Sequence, residues 1–218
     1  ADVPMLDIAG KEMGKLYTQL AIAHTYGDGL VSSCKNTVKA VSDYLYGVEI
    51  DNYISVTMDA VSRLNDCVGG VTVTVDDDMT AVDPSFVKGT TVTLLGDKAL
   101  EYVRARGAME DSSNLARMER QKKYLAAFVE KLADMNVTDT FLLSAYDQIA
   151  EYSVTNCDTS FISALSRKIG TYSYAGAISP KGDAQVGEKY MEFYADEEDL
   201  INILIELFYD RTQEPTEN

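Results

Sequence analysis

Residues 58–75 read MDAVSRLNDCVGGVTVTV, and this stretch decides the fold class. Met58, Val61, Leu64 and Val68 recur at helical spacing, so its first half predicts an amphipathic helix. Gly69-Gly70 should stop that helix, because glycine accepts the left-handed backbone that ends one. Val71, Val73 and Val75 then alternate with Thr72 and Thr74, the period of a strand with one apolar face. A helical period that turns directly into a strand period argues for an α/β domain with helices packed on a sheet.

The flanks repeat the alternation. Upstream, Val38, Val41, Tyr44 and Leu45 predict a helix stopped by Gly47, and Ile54 to Val56 a short strand. Downstream, Asp76-Asp77-Asp78 close the strand and read as a solvated turn. A loop carrying Asp83-Pro84 leads to a β-branched run, Thr90 to Thr93. A helix follows, with Asp97 as its N-cap, running to about Arg106 and ending at Gly107. The longest helical pattern runs from Ser112 to about Met135. Helices over Phe141 to Ile149, Ser160 to Ile169 and Asp196 to Tyr209 complete the chain. In the last of these, Asp196, Glu197, Glu198 and Asp199 crowd the first turn, where negative charge suits the helix dipole. There is no internal repeat and no linker rich in Pro, Gly or Ser, so residues 1–218 read as a single domain.

Composition narrows the function classes. The 218 residues are 46% hydrophobic and 25% charged, which excludes a disordered or collagen-like chain. With 19 Lys and Arg against 35 Asp and Glu, the formal net charge is −16. Overall charge therefore does not attract nucleic acid or anionic lipid, and any anion site must gather its basic groups locally. No apolar run approaches the ~18 to 20 residues of a membrane helix. The chain opens on Ala1 with no signal sequence ahead of it, so its N-terminus is expected to have been cut. Cys34, Cys67 and Cys157 are far apart, and His24 is the single histidine. That excludes a spaced zinc motif, makes a Cys-His nucleophile unexpected, and leaves three semi-buried thiols.

The local gathering of basic groups lies between Arg104 and Lys123. Arg104, Arg106, Arg117, Arg120, Lys122 and Lys123 stand there against Glu110, Asp111 and Glu119. The four arginines offer planar forks suited to phosphate or carboxylate. Taking ~100° per residue with Gln121 at zero, Leu125 falls near +40°, Phe128 near −20° and Leu132 near +20°, one apolar stripe. On that arithmetic Asn114 lands near +20° and Arg117 near −40°, in line with the buried face, while Lys122 and Lys123 point away from it. A buried arginine is costly without a partner. Two readings stay open: an internal ion pair for Arg117, or a partly buried anion pocket at a helix N-terminus. Arg106 has a plainer role open to it, facing the C-terminal dipole of its own helix.

The residues so far quoted resemble the LytR-CpsA-Psr family of bacterial cell-envelope proteins. The resemblance lies in YISVTMDAVSRLNDCVGGVTVTV over 53–75, LGDKALEYVRAR over 95–106 and RMERQ over 117–121. The turn AHTYGDG over 23–29 is similar to another family motif, and residues 182–209 look like the family's closing strand and helix. The resemblance implies a mixed central sheet with helices on both faces, lacking N-terminal strands that would precede Ala1. It also implies an enzyme that moves a glycopolymer, such as a teichoic acid or capsular polysaccharide, from a polyprenyl pyrophosphate carrier to peptidoglycan. Such a domain lies on the extracytoplasmic face of the cell membrane, held by an N-terminal anchor.

Carried over by motif, Arg104, Arg106, Arg117, Arg120 and Gln121 would bind the pyrophosphate, and an apolar pocket would take the lipid chain. Mg2+ is implied too, but its aspartate ligands would precede Ala1, so no metal ligand is assigned in this chain. The family's Asp three residues before Arg117 is replaced by Asn114, which cannot take a proton, leaving Asp111 as the substitute base. A non-catalytic envelope module that binds polyprenyl phosphate or wall polysaccharide is the competing function. A transcriptional attenuator, suggested by the family's older name, would need a nucleic-acid surface that the acidic remainder of the chain does not offer.

Overall fold

A computed structural model describes residues 2–7, 11–17, 20–105, 114–135, 137–169, 171, 174–186 and 191–209. The deciding stretch folds as its two periods require. Met58–Cys67 is a helix, α2, and Val71–Thr74 a strand, β4, with Val71 and Val73 buried and Thr72 and Thr74 exposed. Gly69 and Gly70 between them have φ of 75° and 86°. Their N–H groups return to the Asp66 and Asn65 carbonyls and close the helix. Strand β5, Thr91–Leu94, pairs antiparallel with β4. On their outer face, Thr72 bonds Thr93 and Thr74 bonds Thr91 through their hydroxyls.

The strands β1 (Asp2–Leu6) and β2 (Glu12–Tyr17) open the chain as an antiparallel pair, followed by a 3-10 turn, Leu20–Thr25, and α1, Val31–Tyr44. Strand β3, Ile54–Val56, pairs antiparallel with β6, Ser153–Thr155. Helices α3 (Asp97–Arg104), α4 (Asn114–Asp134) and α5 (Asp139–Ile149) follow β5, and α6 (Thr159–Ile169) follows β6. Strands β7 (Gly182–Val186) and β8 (Met191–Ala195) form a last antiparallel pair before α7, Glu197–Phe208. The expected α/β class is what the structure shows. Where one closing strand was expected, there are two.

The main core lies between the β4–β5 pair and helices α3 and α4. Val71, Val73, Val75, Met79, Phe86, Leu94, Ala99 and Tyr102 are buried there, with Tyr124, Ala127, Phe128, Leu132 and Met135 of the α4 side packed against them. The apolar face of α4 is therefore turned from its expected position, and Leu125 is 48% exposed. Tyr124 takes that place because it lies near −60° on the ~100° wheel, beside Arg117. Its ring stacks on Phe128, and its hydroxyl donates to Asn65 Oδ1 at 3.2 Å.

Asn65 is fully buried and connects this core. Its Nδ2 donates to the Leu94 carbonyl at 2.8 Å, and its Oδ1 accepts from the Val71 N–H at 3.2 Å. It thus joins the end of α2 to both strands of the β4–β5 pair. In a separate cluster, Leu200 and Leu204 of α7 pack on Leu45 and Val48. Tyr46, with φ of 56°, donates to Glu197 Oε1 at 2.8 Å across the same junction. Asp196 caps α7 by accepting from the Asp199 N–H, the role its acidic first turn suggests.

Candidate functional site

Helix α3 begins and ends one or two residues away from its expected limits, and both differences bear on the basic segment. Gly96, not Asp97, is the N-cap. The Asp66 carboxylate accepts the Gly96 N–H at 2.8 Å, while Asp97 Oδ1 accepts from Ser62 Oγ at 3.2 Å. At its C-terminus the helix stops at Arg104, short of Arg106, and Ala105 is extended. Arg104 consequently occupies the last turn, with an exposed side chain.

Helix α4 supplies the facing groups. Arg120 is buried, 3% exposed, and its Nη2 donates to the Ala105 carbonyl at 2.6 Å. Next to it, Gln121 Nε2 donates to the Val103 carbonyl at 3.1 Å. Among the described residues, Arg120 Nε and Nη1 are enclosed and have no hydrogen-bond partner. One turn earlier, the Nε of half-buried Arg117 is enclosed without a partner as well. Among the described residues no carboxylate forms an ion pair with Arg117 or Arg120. The internal pair left open for Arg117 is therefore not formed there.

Tyr102 of α3 is fully buried against Phe86, ring centroids 5.8 Å apart, and its hydroxyl has no partner among the described residues. Burial pushes its pKa up to about 12, with the nearby Asp76 charge adding to the rise and the Arg120 charge opposing it. In the sequence this tyrosine stands as a position of the motif over 95–106, with no place in the core assigned to it. Its place two residues before Arg104 was the available signal, since that spacing in a helix puts it on the side opposite the exposed arginine.

The structure thus brings together Arg104, Arg120 and Gln121, with Arg117 one turn from Arg120 on the same helix. Arg106 and Asp111 lie outside the described residues. Asn114 opens α4 as a described position, and its side chain lies outside the description. The two lysines are less free than expected: Lys122 pairs with Glu119 at 3.0 Å, and Lys123 with Asp76 at 2.6 Å. Asp78, in the same acidic turn, accepts from the Thr80 N–H, which holds its carboxyl below the usual carboxylate range.

Two other expectations meet the structure here. Cys34 Sγ lies 3.9 Å from His24 Nε2, a proximity that separation along the chain concealed, because the turn before α1 folds back on that helix. Burial pushes the Cys34 thiol up, so the pair does not present a ready thiolate. Among the described residues no group of three or more His, Cys, Asp and Glu could hold a metal ion. The described residues therefore do not fit the implied Mg2+, and no step below is routed through it. Likewise, no described helix is long and apolar enough to cross a membrane.

Two open depressions mark the surface. One, of about 540 Å3, is bordered by Lys35, Lys39, Asp51, Tyr53 and Asn156. The other, of about 340 Å3, is bordered by Asp76, Glu119, Lys123 and Tyr174. Both have mixed polar and apolar walls and neither includes an arginine, so neither is the apolar lipid pocket implied by the resemblance.

Comparison with known proteins supplies the relationship. The model of the LytR_cpsA_psr family matches residues 4–198. The polyisoprenyl-teichoic acid–peptidoglycan teichoic acid transferase TagU of Enterococcus faecalis is 31% identical over 137 residues, 62% of this chain and 41% of that protein. TagU of Bacillus cereus is 33% identical over 115 residues, 53% of this chain and 36% of that protein. The chain thus spans well under half the length of these curated relatives. Among solved structures, the Lin1025 protein of Listeria innocua is 30% identical with a TM-score of 0.58, over 79% of this chain and 76% of that one. TagT bound to LIIa-WTA shares the fold at a TM-score of 0.68 and 24% identity, over 94% of this chain and 74% of that one.

Proposed function

This chain belongs to the LytR_cpsA_psr family, and from that premise we propose that it acts in transferring a glycopolymer from a polyprenyl pyrophosphate carrier to peptidoglycan at the cell envelope. The relatives named as teichoic acid transferases support the class of reaction. The observation that carries the reading for these residues is the pair Arg117 and Arg120. Both keep enclosed N–H groups without partners among the described residues, in a chain of net charge −16. Buried cationic donors are costly unless a ligand meets them, and a pyrophosphate supplies acceptor oxygens of the opposite charge.

In the proposed reaction an acceptor hydroxyl on the glycan attacks the phosphorus that bears the polymer. The bond to the bridging oxygen breaks, and the lipid leaves with the other phosphate. Negative charge grows on that leaving phosphate, and fixed arginines lower the barrier by meeting it where it develops. Arg104, exposed at the end of α3, Arg117 and Arg120 are assigned to the pyrophosphate, with Arg106 and Gln121 by their motif. The hydroxyl proton needs an acceptor, and Asp111 is assigned that task because Asn114 is unable to take it.

The replacement by Asn114 favours a second reading, an envelope module that binds the lipid-linked polymer without transferring it. A transfer assay with lipid-linked glycan and peptidoglycan separates the two. Product that depends on Asp111 and Arg117 supports the transferase; carrier binding without product supports the module. Failure to bind polyprenyl pyrophosphate at all overturns both.

A further inference from the structure

We propose that the larger surface depression, between α1 and the segment that follows it, binds a zwitterionic peptide, and that its occupant is the peptide stem of the peptidoglycan acceptor. The name of the occupant rests on the transferase reading above. The site itself does not, and it shares no residue with the arginines of α3 and α4.

Two walls form the depression. Lys35, Val38, Lys39 and Ser42 recur at intervals of three and four residues, which places them on one stripe of α1. Facing them are residues 49–53, which belong to no helix or strand before Ile54. Such a segment makes a poor wall unless it is tied down. Here Asn156 Oδ1 accepts the Tyr53 N–H at 2.8 Å, and Asn156 Nδ2 donates to the Asp51 carbonyl at 2.7 Å. The Thr155 hydroxyl donates to the Tyr53 carbonyl at 2.5 Å. The wall is therefore set before a ligand arrives, which lowers the ordering cost of binding. At about 540 Å3 the depression falls within the ~300 to 1,000 Å3 of small-ligand sites.

Charge decides what fits. Lys39 and Asp43 satisfy each other along the helix at 3.1 Å. Lys35 on the helix wall, and Glu49 and Asp51 on the facing wall, form no ion pair among the described residues. Opposite charges that border one hollow without meeting leave two fields, and a ligand with an ammonium at one place and a carboxylate at another answers both. Tyr53 borders the anionic wall, and aromatic faces attract ammonium groups. Half-buried Val38 and Ile50 offer apolar surface to methyl and methylene groups between the charges.

The same arithmetic sets other occupants aside. Lys35 and Lys39 against Asp43, Glu49 and Asp51 leave one net negative charge at the border, in a chain of net charge −16. A polyanionic glycopolymer is repelled there. A neutral glycan leaves Lys35 and both carboxylates unanswered. A peptide with equal numbers of ammonium and carboxylate groups meets each without net repulsion.

The test titrates the full chain with the tripeptide alanyl-γ-glutamyl-lysine, read by backbone amide shifts in NMR. Shifts should concentrate at residues 35–43 and 49–53. Lys35→Gln and Asp51→Asn, both at exposed positions, should each weaken binding about threefold, the size of one exposed ion pair. Lys35→Gln should cost nothing further once the peptide's carboxylates are amidated, and Asp51→Asn nothing further once its amines are acetylated, because each variant and its matching peptide remove one shared contact. The affinity for farnesyl pyrophosphate should be unchanged in both variants. Additive losses, shifts centred elsewhere, or N-acetylglucosamine oligomers moving these amides more strongly than the tripeptide would overturn the proposal. No tripeptide binding by a chain that binds farnesyl pyrophosphate would overturn it and leave the transferase reading standing. Tripeptide bound in the depression by a chain that does not bind farnesyl pyrophosphate would overturn the transferase reading and leave the peptide site.

Discussion

Lys123 Nζ on α4 lies 2.6 Å from Asp76 Oδ1, just past the end of β4. This lysine, one turn and a half beyond Arg117, is thus occupied by a partner, while Arg117 keeps an enclosed N–H that has none among the described residues. The two cations of one helix have different tasks. Arg117→Ala should weaken polyprenyl pyrophosphate binding about tenfold, and Lys123→Ala less than about threefold, since a half-exposed ion pair contributes only ~0.2 to 1 kcal/mol and lies off the site. Equal losses in titration calorimetry would sink the assignment of Arg117.

Asn65 makes three bonds that reach both strands and α4, and all lie in the core. Asn65→Leu should strand the Val71 N–H and the Leu94 carbonyl in a dry environment. A buried group left unpaired costs about 1 to 3 kcal/mol, so a loss of about 2 to 4 kcal/mol in urea unfolding is expected. A loss under about 1 kcal/mol would show that the β4–β5 pair is held by its valines and ladder alone.

Two adjacent glycines should differ. A Cβ at Gly69 meets nothing within 4 Å, while one at Gly70 would come within 2.7 Å of the Leu94 carbonyl oxygen. Gly69→Ala should cost about 1 to 2 kcal/mol for its left-handed backbone. Gly70→Ala carries that same cost with a steric clash against backbone in addition. Thermal melts should therefore rank Gly70→Ala clearly below Gly69→Ala, and the reverse order would contradict the close approach.

Tyr102 and Tyr124 both have pKa values pushed up to about 12, chiefly by burial. An unfolded tyrosine ionises near 10. Their neutral form is therefore favoured by the fold: the contribution is complete below about pH 10 and is lost as pH rises through about 12. Tyr102→Phe removes a hydroxyl that has no partner among the described residues, so stability at pH 7 should hold or rise slightly. Between pH 10 and 12, by contrast, the variant should lose stability less steeply than the parent chain in denaturant titrations. Parallel curves across that range would show that the phenol ionises freely in the folded protein.

The elements were legible wherever one period ran unbroken. Residues 58–75 announced both α2 and β4, and their glycine stop fell where expected. The pairing of β3 with β6 was not legible, because three-residue strands nearly a hundred residues apart carry no period of their own. In the site, the helical wheel placed Arg117 on the buried side correctly and misjudged Leu125, since a wheel anchored on aliphatic residues overlooked Tyr124 as a core member. The motif positions of Arg104, Arg120 and Gln121 were legible, but not the bonds that Arg120 and Gln121 make to the Ala105 and Val103 carbonyls. Which nitrogen meets which carbonyl depends on how α3 and α4 approach each other, and no local pattern encodes that.

The junction of Tyr46 with Glu197 spans 151 residues of chain. Ribosomes add about 5 to 20 residues per second, so Leu45 and Val48 emerge about 8 to 30 seconds before Leu200 and Leu204 exist to cover them. For that interval the end of α1 is a sticky surface on a nascent chain. Helix α7 is thus the element whose synthesis brings that exposure to a close.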